Sequence, residues 1–87
     1  MCTSILEITD VDGAAKAPDG WFDVTRAVVS FDHPHHAMFE QAITIDFVNP
    51  ELGPTWRAGI EISLESARAF ATALNRAITA AEAELAS

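Results

Sequence analysis

The sequence predicts an α+β domain: a four-stranded antiparallel meander with one C-terminal helix packed across one face. Three observations lead there. Four segments carry the apolar, period-two patterning of strands, and clusters of Asp, Asn, Gly and Pro separate them. The last part of the chain, from Leu64 onward, has neither Pro nor Gly and repeats apolar residues at helical spacing.

From Cys2 to Val11 the chain is rich in β-branched and apolar residues, with Cys2, Ser4, Leu6 and Ile8 on one parity and Thr3, Ile5, Glu7 and Thr9 on the other. The stretch from Asp12 to Gly20 holds two Asp-Gly pairs and Pro18, which predicts a long hairpin loop. A second strand follows over Trp21 to His33. It sets Ala27, Val29, Phe31 and His33 against Val24, Arg26, Val28, Ser30 and Asp32, and Pro34 closes it because proline cannot donate to a ladder. The third strand, Ala42 to Val48, alternates Ile43, Ile45 and Phe47 with Thr44 and Asp46.

After the turn residues Asn49 to Pro54, the fourth strand, Trp56 to Ser63, opposes Trp56, Ala58, Ile60 and Ile62 to Arg57, Glu61 and Ser63. In the helix, Ala67, Phe70, Ala71, Leu74, Ala77, Ile78, Ala81 and Leu85 share a face opposite Arg68, Thr72, Asn75, Arg76 and Glu82. Ser63 is the expected N-cap, and Glu65 suits the positive end of the helix dipole.

No repeat, low-complexity tract or linker divides residues 1–87, so one domain is expected. A folded chain of this mass should expose about 5,000 Å² and bury roughly 63% of its unfolded surface. At that size burial and conformational entropy nearly cancel, so a staple or a partner is expected. With one cysteine no intrachain disulfide forms, which leaves a metal or a second chain, and a homodimer is the simpler choice. Thirteen acids against five bases, a net charge of −8, argue against nucleic acid and anionic lipid as partners. The start of the chain lacks a basic region followed by an apolar run, and no apolar stretch approaches membrane length, so a cytoplasmic protein is expected.

Parity and loop lengths bring distant residues to one end of the sheet. Setting Leu6 and Ile8 beside Phe31 to Ala27 places Cys2 next to His33. Setting Ile45 opposite Val29 places Gln41 opposite His33, and pairing Ile60 with Ile45 returns the helix start to the same edge. Three chemistries fit such a cluster. A divalent metal would accept Cys2, His33, His36 and Glu40 or Asp32. A thiol nucleophile would use Cys2 with His33 as its partner, its amine freed if Met1 is removed. An anion would sit on the helix N-terminus. The bland alternative is a turn built by Asp32 and Pro34 with solvated imidazoles and a small buried thiol.

The other face gathers Ile5, Glu7, Val24, Arg26, Val28, Ser30, Thr44, Asp46, Arg57 and Glu61, too apolar for an ordinary solvated face and too charged for a dry core. It is expected to form a dimer interface or a ligand pocket, with Arg26, Asp46, Arg57 and Glu61, and Gln41 beyond them, as the ligand-binding groups. Trp21, Phe22 and Trp56, each beside a turn, would line a pocket, anchor an interface or seal the core edge.

Several motifs together resemble a family of short, uncharacterised bacterial proteins: Met1-Cys2-Thr3, Asp19-Gly20-Trp21-Phe22, Phe31-Asp32-His33-Pro34 with His36-Ala37, Ile45-Asp46-Phe47-Val48-Asn49-Pro50 and Glu65-Ser66-Ala67-Arg68. The resemblance spans nearly the whole chain and implies no activity. It also implies a histidine at the place of Gln41, so a metal site needing an imidazole there would depend on His35. The expected function is a small-molecule-binding or accessory homodimeric domain. The alternative is a small metal- or thiol-dependent enzyme centred on Cys2, His33 and His36.

Overall fold

The computed structural model describes residues 5–33, 38 and 40–87. It holds β1 (Leu6–Ala17), β2 (Gly20–Asp32), β3 (Ala42–Val48), a short 3-10 turn (Pro50–Leu52), β4 (Arg57–Ile62) and α1 (Leu64–Ala86). The strands form one sheet in the order β1-β2-β3-β4, and each neighbouring pair is antiparallel. This is the α+β meander that the alternation predicts.

The long hairpin loop expected at Asp12 to Gly20 is a correction. β1 continues through Ala17, and the chain reverses over Pro18 and Asp19, pairing Ala17 with Gly20. Gly20 has φ +125°, a region that side chains disfavour, so this Asp-Gly pair makes the reversal. The other pair, Asp12-Gly13, lies instead at a register shift between Asp10 and Gly13, where β1 carries one residue more than β2. Counted back from the tight turn through that shift, Leu6 pairs with Ser30 and Ile8 with Val28. The parity assigned to the first strand is thereby reversed: Leu6 and Ile8 join the charged face, while Glu7 pairs with Val29 on the other.

The remaining register agrees with the sequence reading, with Val29 opposite Ile45 and Ile45 opposite Ile60. Three rows therefore cross the charged face: Asp10, Arg26, Val48 and Arg57; Ile8, Val28, Asp46 and Gly59; and Leu6, Ser30, Thr44 and Glu61. The opposite face carries Val29, Phe31, Ile43, Ile45, Ile60 and Ile62.

Among the described residues the buried apolar side chains are Phe22, Val24, Ala27 and Ala42. On β2 the buried positions step by two and then by three, from Phe22 and Val24 to Ala27, across the level of the register shift in β1. Val24, Gly13 and Phe47 line one small cavity there. The edges β1 and β4 approach each other, so the sheet is curled.

Ser63 caps α1, its Oγ accepting the Ser66 amide at 3.1 Å. The helix comes near the sheet at β3, and Ala67 and Ala71 are its half-buried residues. Beyond that point its apolar face is open: Phe70, Leu74 and Ile78 are 51%, 49% and 46% exposed. The chain exposes 6901 Å², against the ~5,000 Å² expected for its mass. Its radius of gyration is 14.7 Å, against about 12 Å for a compact chain of this length. Among the described residues no helix is long and apolar enough to cross a membrane.

Asn49 is the buried polar residue of the described chain, and both ends of its amide are used. Nδ2 donates to the Asp23 carbonyl at 3.0 Å, and Oδ1 accepts the Glu51 amide at 3.1 Å. Asn49→Ala strands two backbone groups, so urea unfolding should show a loss of ~1–3 kcal/mol. A loss below about 0.5 kcal/mol would show that water replaces the amide without penalty.

Candidate functional site

Arg26, Asp46, Arg57 and Glu61 lie on one face of the sheet, as their parities require. Arg57 Nη2 donates to Asp46 Oδ1 at 2.5 Å, a diagonal pair between β3 and β4. The diagonal is open because Gly59 stands opposite Asp46: a Cβ at Gly59 would strike the Asp46 carboxylate and lie 3.6 Å from the guanidinium. Gly59 therefore reserves space for a charge pair, a role not recognised from the fourth strand's alternation. Arg26 shares a row with Arg57 across Val48, while Glu61 lies beyond Gly59 in the row of Thr44 and Ser30. Gln41 is exposed and precedes β3, outside these rows.

At the far end of β2 the His33 amide is capped by Asp32 Oδ1 at 2.7 Å, and the ring Nδ1 lies 2.8 Å from the Glu40 carbonyl. A carbonyl only accepts, so Nδ1 is the donor in this contact. Cys2 and His36, the other members of the expected cluster, lie outside the described residues. Among the described residues no group of three or more His, Cys, Asp and Glu side chains is arranged to hold a metal ion. At the start of α1 the Ser66 amide is already taken by Ser63, which removes one donor from the anion seat considered there.

The aromatic residues converge at the other end of β2. A cavity of about 370 Å³ is lined by Ala14, Trp21, Phe22, Asp23, Leu52 and Trp56. The Phe22 and Trp56 rings lie 5.5 Å apart at 53°, a tilted pair that joins β2 to the approach to β4. Asn49 ties the same two regions together through the Asp23 carbonyl and the 3-10 turn that presents Leu52. Trp21, Phe22 and Trp56 were legible as residues beside turns, whereas Asn49 and Asp23 were not. The Asn-Pro pair at 49–50 reads as turn chemistry, and nothing in it announces a buried amide.

Gly59→Ala should destabilise by about 1–3 kcal/mol through the forced clash. Asp46→Ser alone should change stability by less than ~1 kcal/mol, since Arg57 is half-exposed and such pairs contribute little. The double variant should recover most of the Gly59→Ala loss. Additive losses in chemical denaturation would mean that the carboxylate is not what Gly59 accommodates.

Comparison with known proteins gave no significant match among curated proteins and none among solved structures. One family model, described as a family of unknown function, matches residues 1–87. The chain, with its curled four-stranded sheet, its aromatic cavity and its single helix, belongs to that family, DUF6295.

Proposed function

We propose that the chain is a cytoplasmic, homodimeric small-molecule-binding domain and that the aromatic cavity seats a small organic cation with an apolar or aromatic body. The observation that carries this reading is the cavity itself. At about 370 Å³ it falls within the size range of ligand sites, and it joins two indoles and a phenyl ring to the acidic residue Asp23. The faces of indole rings attract cations, and a net charge of −8 concentrates them near the surface. An anion would meet the opposite field.

Trp21 and Trp56 are the chain's two tryptophans, so their fluorescence reports on this cavity. Benzyltrimethylammonium should produce a saturable change at millimolar concentration or below, and benzyl alcohol should produce none. Trp21 is 69% exposed, so its replacement should spare the fold. Trp21→Ala and Asp23→Asn should each weaken binding about fivefold, the scale of an exposed cation–π contact. An unsaturable response, or an equal response to the alcohol, would reject the cavity as a cation seat. Sedimentation at micromolar concentration should give about twice the 9.4 kDa chain mass.

A metal- or thiol-dependent activity centred on Cys2, His33 and His36, with Glu40 at its edge, is the second reading. What favours it is the His33 ring, oriented through Nδ1 by the Glu40 carbonyl as the rings of metal-ligating histidines are. Elemental analysis and intact mass of tag-free protein separate the two readings: one divalent ion per chain supports the second, and no metal together with a retained Met1 rejects both its metal and its thiol versions.

A further inference from the structure

We infer that α1 pairs antiparallel with α1 of a second copy of this chain, about a twofold axis close to Asn75. The inference rests on the dimer part of the reading above and not on the cavity. Ala67, Ala71, Leu74, Ile78, Ala81 and Leu85 follow one another at alternating steps of four and three, the seam of a two-helix coil. Toward the C-terminal end that seam is open, with Leu74, Ile78 and Leu85 49%, 46% and 86% exposed. Ala67 and Ala71 are the half-buried residues of α1, and their methyl groups are small enough for the sheet and a second helix to share.

The occupant follows from charge. Read backwards along a second copy, Leu74 meets Ile78, Ala71 meets Ala81 and Ala67 meets Leu85, so the stripe complements itself. Along its flank Arg68 and Glu82 each stand seven residues from Asn75. Antiparallel pairing therefore sets Arg68 of one copy beside the Glu82 of the other, twice per dimer. Parallel pairing would leave both charges unmatched, and within one helix they are about 21 Å apart, too far to meet. Area points the same way. The chain exposes 6901 Å², roughly 1,900 Å² above expectation for its mass, and even half of that excess matches the ~800 Å² that each partner contributes to a standard interface.

Sedimentation equilibrium on three variants tests the pairing, with circular dichroism as a check that each is folded. Arg68→Glu and Glu82→Arg should each weaken the dimer about tenfold, and the double variant should return to within about threefold of the parent. A rescue of this kind can only act between chains. A spin label at Ala86→Cys in a Cys2→Ser background adds a readout independent of charge: antiparallel helices hold the two labels ~30 Å apart, whereas parallel helices bring them level. A parent dimer indifferent to the single variants, a double variant with no rescue, or level labels would overturn the pairing while leaving a dimer in place. A monomeric parent would overturn the dimer itself.

Discussion

The shortage of interior is the constraint on which everything else depends. Among the described residues Phe22, Val24, Ala27 and Ala42 are the buried apolar side chains, and two of the four are alanines. None of the large aliphatic side chains of α1 is buried. Small domains balance burial against chain entropy with little margin, and the Phe, Leu and Ile side chains of α1 leave an apolar stripe open. The curled sheet, the open seam of α1 and the mixed charged face are three expressions of that imbalance.

The sheet's register determines where chemistry can occur. The two-residue reversal at Pro18 and Asp19 and the shift at Asp12 and Gly13 together set which side chains of β1 face which side. Near the start of β2, Phe22 meets Trp56, and the buried Asn49 amide ties β2 to the β3–β4 connection. The aromatic cavity thus lies near an irregularity in pairing. On the charged face the absence of a side chain at Gly59 lets Asp46 and Arg57 settle into a direct pair.

Much of this was legible in the sequence. Ala42 to Val48 was bounded correctly because its alternation is strict and turn residues flank it, and the Ser63 cap was legible because serine before a Pro- and Gly-free run has one good use. The parities of β2, β3 and β4 over Arg26 to Asp32 are legible for the same reason. The first hairpin is not legible, because Asp12-Gly13 and Asp19-Gly20 carry the same local chemistry and only the geometry of pairing decides which one turns the chain. An unseen extra residue in β1 then reversed its parity, since a slip of one exchanges the faces. The metal and thiol readings turn on Cys2 and His36, which lie outside the described residues.

If the interior is completed by a second copy, folding and association are one equilibrium, and the midpoint of thermal unfolding must depend on protein concentration. Calorimetry over a hundredfold range in the micromolar region measures this directly. A midpoint that climbs steadily with the logarithm of concentration is the expected result. A midpoint that stays fixed across the range would mean that the single chain is sufficient by itself, and the claim of a shared interior would be wrong.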